Sequence, residues 1–502
     1  MTDINNSLLT KEELLLAVNG VQLGNAPCFF NDVQTDSRNI QTCEEKYEEN
    51  YDYKAMFVPL VGEFQNGHKY IPSVLEKKPG VILLNESEYN ENVSMYNQMV
   101  ENNPDVCFVC VKNTLYALQD AARAYVEKKC GNLIKVSITG SSGKTTTKEM
   151  LVSICKEFFG EEKVAYTKGN FNSETGLPLS VFKIRGDEKI GIFEMGMNRI
   201  GEIDEISSVF KSQYGIITNI GTAHIGILKT RENIAREKRH SFDYIPKNGA
   251  AFVCTDDDFA DFCCENVKGE VVKFGINVPQ EISGVKYLKD DGIFGTDFLV
   301  DGEKVHLSLA GEYNYQNALA AISLAKKIGI DTASIKEGLE NVCAINGRME
   351  VSKIELKNHK NSVLIKDCYN ANLDSMMKVL NFCIKLEDKE FERKILVLAD
   401  MKELGSESET AHKQIGEKIN EMKPFLTFLI GCEMKACYEN VKNKEDVVYF
   451  EESSPSVFEK IGEKILEKAN GNEIILLKGS HSMQLDKLVP YFVLSKTGGN
   501  IQ

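Results

Sequence analysis

The sequence contains no run approaching the roughly 18 continuous apolar residues that a bilayer-spanning helix needs, so membrane insertion is not expected. It also lacks an excess of positive charge: 59 lysines and arginines stand against 74 aspartates and glutamates, a formal net charge of −15. Nucleic acids and anionic membranes are bound through cationic faces, so neither is expected as a general partner. An anionic small substrate stays allowed, because a local basic pocket is compatible with an acidic whole. The opening residues Met1-Thr2-Asp3-Ile4-Asn5-Asn6 show no basic stretch leading into an apolar run, so no signal peptide is expected and the cytoplasm is the expected location. No internal repeat or low-complexity tract is present. The seven histidines are scattered, with no His-x-x-x-His pair, and Cys107-x-x-Cys110 has no second cysteine pair to complete a zinc site. That pair sits in an apolar run, Val106 to Val111, which reads as a buried strand. The 14 cysteines read as reduced thiols, because the chain is long and shows no secretion signal.

What is present is the composition of a soluble globular protein, 42% hydrophobic and 26% charged over 502 residues. At about 150 residues per domain, three domains follow. Val58-Pro59-Leu60-Val61 and Gly80 to Leu84 read as buried strands bounded by turn residues. Glu44 to Tyr53 and Asn85 to Pro104 read as surface insertions, too polar to bury a face. From Thr114 the pattern changes. Leu115, Leu118, Ala121, Ala122 and Tyr125 share a helical face, closed by Gly131. Apolar runs at Ile134–Ile138, Ile190–Phe193 and Tyr214–Thr218 each lead into polar loops. This alternation predicts an α/β fold with a mostly parallel sheet, which binds ligands at the carboxyl ends of its strands. A third βα-rich segment has strands at Ser362–Ile365, Lys394–Leu398, Leu426–Ile430 and Ile474–Leu477. Boundaries near 113 and 346 divide the chain into 1–113, 114–346 and 347–502.

The strongest chemical signal is Thr139-Gly140-Ser141-Ser142-Gly143-Lys144-Thr145-Thr146, between a predicted strand and a predicted helix. Glycines let backbone N–H groups turn inward around phosphate oxygens, and the helix N-terminus adds partial positive charge. Gly140, Ser141, Ser142, Gly143, Lys144, Thr145 and Thr146 form the predicted ATP cradle. Lys144 is suited to bridge the terminal phosphates and Thr145 to contact Mg²⁺. Ile138 occupies the place of the first glycine of the general P-loop pattern, so the match is to the shorter form Gly-x-x-Gly-Lys-Thr.

Other segments follow in a recognisable order. They are Thr35-Asp36-Ser37-Arg38, Lys168 to Leu179 with Asn170-Phe171-Asn172, Glu194-Met195-Gly196-Met197, and Thr218-Asn219-Ile220-Gly221-Thr222-Ala223-His224. Gly311 to Asn317, Gly347-Arg348, Tyr369-Asn370-Ala371-Asn372, Asp400 to Gly405 and Lys478-Gly479-Ser480 come after them. The series resembles the Mur ligases of peptidoglycan synthesis, most closely the branch that adds D-Ala-D-Ala to UDP-MurNAc-tripeptide. The resemblance covers nearly the whole chain. It implies an N-terminal mixed α/β UDP-sugar domain, a central P-loop ATPase domain and a C-terminal Rossmann-like domain, in a monomer. It also implies the chemistry: ATP phosphorylates the tripeptide's terminal carboxylate, and the D-Ala-D-Ala amine displaces phosphate from the acyl phosphate.

The resemblance also assigns roles. Glu194 and His224 become metal-site residues beside Thr145, with two Mg²⁺ ions expected; alone, Glu194 would read as a solvated strand-end acid and His224 as structural. Lys238 falls where the family carries a carbamylated lysine, an anionic metal ligand, although it could also be one more lysine on a charged helix. Asn314 and Asn317 correspond to adenine contacts, Asn314 being also a candidate helix N-cap. Arg348 corresponds to a phosphate-binding catalytic residue and Asp367 to the acid that bonds the ribose. Asp36, Ser37 and Arg38 become UDP-sugar contacts, with Arg38 suited to the diphosphate. Asn170 and Asn172 become peptide contacts near the reacting carboxylate. Lys478 and Ser480 become contacts for the incoming amine substrate's carboxylate or the γ-phosphate. The chain departs from the family pattern at Tyr313, Lys366, Leu373 and His481. The competing readings are a folylpolyglutamate-type amino-acid ligase of the same superfamily and a P-loop nucleotide-binding paralogue that does not ligate.

Overall fold

The structure, a computed structural model, describes residues 7–41, 53–386, 391 and 393–496. Short apolar runs alternate with amphipathic helices, and the runs assemble into four sheets. The first contains β1 (Val21–Leu23), β2 (Asp32–Gln34), β3 (Ala55–Phe57), β4 (Val81–Asn85) and β5 (Cys107–Val111), in the order β1-β5-β4-β3-β2. Only β1 is antiparallel to its neighbour. Ala55 to Phe57 and Val81 to Leu84 are fully buried, as both-face coverage of a parallel sheet requires. Cys107 and Cys110, three positions apart on β5, point to opposite faces of the sheet, so they cannot share a ligand.

Two sequence expectations in this region are corrected. The strand expected at Val58–Val61 is Ala55–Phe57; Val61 is 54% exposed and makes only an isolated bridge with Asn66. Pro59 has no N–H to extend a ladder, and the chain leaves the sheet just before it. Asn85–Pro104 is not a polar insertion: Asn85 ends β4, and helices Glu86–Glu91 and Val93–Asn102 follow. Tyr96 is buried and Met99 and Val100 pack beside it, one helical face against Phe57, Ile82 and Phe108. Of the other expected insertion, Glu44 to Asp52 lie outside the described residues. Tyr53 is buried, its hydroxyl donating to Asp32 Oδ2 at 3.0 Å.

The central sheet contains β6 (Ile134–Thr139), β7 (Val164–Tyr166), β8 (Ile190–Glu194), β9 (Tyr214–Ile217), β10 (Ala250–Cys254) and β11 (Glu270–Phe274). Its order is β11-β10-β9-β6-β8-β7 and every pairing is parallel. The chain leaves β6 toward β8 on one side and returns to β9 on the other, so the crevice beyond β6 is a topological switch point. Three antiparallel strands follow, β12 (Val285–Asp290), β13 (Thr296–Val300) and β14 (Glu303–Leu307).

The C-terminal sheet contains β15 (Glu350–Leu356), β16 (Asn361–Asp367), β17 (Arg393–Ala399), β18 (Leu426–Ile430), β19 (Val447–Phe450), β20 (Glu473–Lys478) and β21 (Val493–Lys496). Its order is β19-β18-β17-β20-β16-β15-β21, with β15 antiparallel to both neighbours and the others parallel. The carboxyl ends of β16 and β20 face the crevice beyond β6, where Asp367 and Lys478 meet the phosphate loop.

Candidate active site

β6 ends at Thr139, and Gly140 follows where only glycine fits: a β-carbon would lie 1.9 Å from Thr218 Oγ1 in the loop after β9. Gly143 takes a left-handed conformation, φ 81°, and caps the helix Lys144–Phe159. The first N–H groups of that helix therefore face the crevice, where they favour an anion. Lys144 curls back so that Nζ donates to Gly140 O at 2.9 Å. Burial lowers the pKa of its amine; Glu194 opposes that shift and Arg348 reinforces it.

Glu194 ends β8, is 2% exposed and is held at three atoms. Thr145 Oγ1 donates to Oε2 and Asn172 Nδ2 to Oε1, each at 2.8 Å. Its backbone N–H donates to Thr167 Oγ1 at 2.9 Å. Asn219, after β9, closes the other side of the phosphate loop. Its Oδ1 accepts from Ser142 N at 3.1 Å, its Nδ2 donates to Ser142 O at 2.8 Å, and its carbonyl accepts from Ser141 N at 3.0 Å. No role had been expected for Asn219, although its segment had been singled out.

Lys238 lies in the helix Arg231–Arg239, where Ile234, Ala235 and Lys238 form the buried face. It is 1% exposed, and no carboxylate of the described residues lies within ion-pair distance of its Nζ. Burial, with the nearby Lys144 charge adding to it, drives its pKa well below that of a free lysine. Glu237 opposes that shift only in part and makes no ion pair with Lys238: its two oxygens accept from Gly201 N and Ile203 N, both at 3.0 Å, capping the helix Glu202–Phe210. His224 lies on the segment after β9, as the N-cap of the short helix Ile225–Leu228. Its backbone is left-handed, φ 63°, and Nδ1 lies 2.9 Å from Glu403 Oε2 of the C-terminal unit.

The C-terminal unit supplies the facing wall. Arg348 lays its guanidinium 4.1 Å from the centre of the Tyr369 ring. Asp367 Oδ2 lies 2.7 Å from Lys478 Nζ, which also donates to Asn370 O at 2.9 Å. Arg348, Asp367, Tyr369 and Lys478 line one cleft together with Ser141 to Lys144, Asn314 and Asn317. Asn314 is not the N-cap; Gly311 is, and Asn314 Nδ2 donates to Ala310 O at 2.8 Å. Asn317 Nδ2 donates to Asn314 Oδ1 at 3.3 Å, and the Asn317 amide lies against Gly143.

The profile described as Mur ligase middle domain matches residues 138–325, and that described as Mur ligase, glutamate ligase domain matches 347–481. The chain is 33% identical to the UDP-N-acetylmuramoyl-tripeptide–D-alanyl-D-alanine ligase of Treponema pallidum, covering 96% of this chain and 98% of that one. The chain belongs to the Mur ligase family. A solved MurF structure from Acinetobacter baumannii superposes with a TM-score of 0.78 at 25% identity, covering 96% and 98% of the two chains. The MurF ligase of Thermotoga maritima, solved in complex with ADP, shares the fold with a TM-score of 0.71 at 22% identity, covering 92% and 96%.

The remaining expected residues of this Mur ligase fall in three places. Asp36, Ser37 and Arg38 follow β2; Arg38 Nη2 pairs with Asp36 Oδ2 at 2.6 Å and stays largely exposed. The guanidinium pulls the Asp36 carboxyl down to about 2. Asn170 is exposed, whereas Asn172 is already bonded to Glu194. Ser480 Oγ accepts from Lys402 N at 2.9 Å and is buried, so it braces the Asp400–Lys402 turn rather than lining the cleft. Among the departures, Lys366 pairs with Glu350 at 2.6 Å. Leu373 opens the helix Leu373–Lys385 behind its cap Asn372. Tyr313 is half-buried on the wall of the cleft, and His481 packs its ring 5.7 Å from that of Tyr369.

Proposed function

We propose that this Mur ligase joins D-Ala-D-Ala to UDP-MurNAc-tripeptide at the expense of ATP, completing the pentapeptide precursor of peptidoglycan. The observation that carries the reading is the cleft itself. Ser141 to Lys144 of the phosphate loop form its floor, with Thr145, next in the chain, bonded to Glu194, and Arg348, Asp367 and Lys478 form its opposite wall. The likeness along nearly the whole chain to a UDP-N-acetylmuramoyl-tripeptide–D-alanyl-D-alanine ligase supports the substrate assignment.

In the first step a carboxylate oxygen of the tripeptide attacks the γ-phosphorus and the bond to ADP breaks. In the second the amine nitrogen of D-Ala-D-Ala attacks the acyl carbon, loses a proton, and phosphate departs. Lys144 and the helix N-terminus bring positive charge to the transferring phosphoryl group before reaction begins. Arg348 adds a planar fork suited to phosphate oxygens. Asp367 is placed for the ribose, Asn314 and Asn317 for the base. Asp36, Ser37 and Arg38 hold the UDP-sugar, and Asn170 and Asn172 the peptide end.

The Thr145 hydroxyl and the Glu194 carboxylate put hard oxygen ligands side by side, a donor set that fits Mg²⁺. Bound there, Mg²⁺ neutralises developing charge on the phosphates. Lys238 fits the carbamate reading because its buried amine is biased to the neutral form, which attacks carbon dioxide, forms an N–C bond and loses a proton. In this reading the carbamate and His224 complete a second ion site. We further propose that the functional units are 1–113, 114–346 and 347–502, working as a monomer in the cytoplasm.

The deciding experiment is a phosphate-release assay with product analysis. Phosphate and a lengthened peptide are expected only when both substrates accompany ATP. ADP formed without a lengthened peptide would overturn the reading. For Lys238, the Lys238→Ala enzyme should be inactive and regain activity with added short carboxylates; full activity without them would reject the carbamate.

A further inference from the structure

Loop 219–229 belongs to the central unit, yet two of its glycines are explained by atoms of the C-terminal unit. Neither Gly221 nor Gly226 has a positive φ, so no left-handed turn demands glycine at either place. A β-carbon on Gly226 would stand 2.5 Å from Glu403 O and 2.7 Å from Gly405 N. One on Gly221 would stand 2.4 Å from Asp374 Oδ2. Both glycines therefore clear space for the docked C-terminal unit.

Hydrogen bonds cross at the same places. Asp374 Oδ2 accepts from Thr222 N at 2.5 Å and from Thr222 Oγ1 at 2.8 Å. Gly226 N donates to Glu403 O at 3.0 Å. Asp374 lies in the first turn of the helix Leu373–Lys385, where the helix N-terminus favours a carboxylate. On its inner side the same loop grips the phosphate loop. Gly221 N donates to Ser141 Oγ at 2.9 Å, and Asn219 binds Ser141 and Ser142.

We propose that Asp374 is a positioning residue for phosphoryl transfer. Seated on Thr222, it ties the docked C-terminal unit to Ser141 and Ser142 through Gly221 and Asn219. Asp374 does not line the nucleotide cleft; it acts through the loop. Its seat brings Arg348 and Lys478 into register with Lys144 when the units close. The proposal rests on the ligase reading and concerns the control of that site.

The test uses the full-length enzyme in the phosphate-release assay, with kcat and KM measured separately and thermal unfolding as a fold control. Asp374→Ala is expected to lower kcat by about tenfold or more, as lost positioning does. The KM for UDP-MurNAc-tripeptide and the unfolding midpoint should hold. Asp374→Asn, which retains an accepting oxygen, should recover most of the rate. Adding Thr222→Val to Asp374→Ala should cost nothing further, because the two share one interaction. Gly226→Ala should reproduce the kcat loss. Native kcat in Asp374→Ala, or independent losses in the double variant, overturns the proposal. If Gly226→Ala lowers the unfolding midpoint, the Asp374–Thr222 cycle decides alone. A native enzyme that makes no lengthened peptide would instead sink the ligase reading.

Discussion

Asp367 and Lys478 are register partners on the neighbouring parallel strands β16 and β20, and their side chains meet at 2.7 Å on the rim of the nucleotide cleft. Lys478 is 1% exposed, so water screens its charge little. Lys478→Met leaves the Asp367 carboxylate unbalanced where ATP phosphates must approach. A fall of about 100-fold in kcat/KM for ATP is expected, the scale of losing one oriented charge. Steady-state phosphate release measures it, and native ATP kinetics in the variant would remove Lys478 from the site.

Glu194→Gln should keep the fold and lose the chemistry. One amide oxygen can still accept from Thr145 or Asn172, but the negative charge that suits a divalent cation is gone. A rate loss of about 1,000-fold is expected, together with a rise in the Mg²⁺ concentration for half-maximal activity. A magnesium titration identical to the native one would show that Glu194 holds no metal.

Gly143→Ala combines two costs. The left-handed φ of 81° penalises any side chain, and the new β-carbon would fall 2.4 Å from Asn317 Oδ1. The strain is about 1–2 kcal/mol before any displacement of Asn317. ATP affinity should drop at least about tenfold by calorimetry; unchanged affinity would mean that this turn does not cradle phosphate.

Stability should fall in mild acid. His68 Nε2 accepts from Asn85 N at 3.0 Å, and His412 Nε2 accepts from Met401 N at 3.1 Å, so both rings are neutral in the fold. Burial lowers both pKa values below the ordinary histidine value. The unfolded chain binds these protons near pH 6.5 and the folded chain resists them. Their contribution is thus complete above about pH 6.5 and is lost as pH falls toward the lowered folded values. Unfolding midpoints that stay flat between about pH 7.5 and 5.5 would contradict this.

Much of the site was legible because its parts are local. A run of β-branched residues, two glycines, a lysine and two threonines specify strand, turn and helix within about two dozen positions, and the structure builds them there. Lys238 was marked only by the resemblance; that it turns inward with Ile234, Ala235 and Glu237 is a fact of the packed helix. The segment Asn85–Pro104 was not legible, because only Tyr96, Met99 and Val100 turn inward and their partners come from other strands. Ser480 and Asn314 read as ligand contacts or caps from their neighbours. The backbone N–H of Lys402 engages Ser480, and the Ala310 carbonyl takes up the Asn314 amide on the cleft wall; no motif specifies either group.

The order of residues by itself determined the phosphate loop, the parallel α/β architecture and the family, since each depends on spacing along a few turns of chain. Only the tertiary structure decided that Glu403 meets His224, that Glu237 caps the helix Glu202–Phe210, and that Asp374 closes on Thr222 across 152 positions. Contacts of that range depend on how whole sheets dock. That docking is a sum over many weak packing terms, which no short stretch of sequence carries.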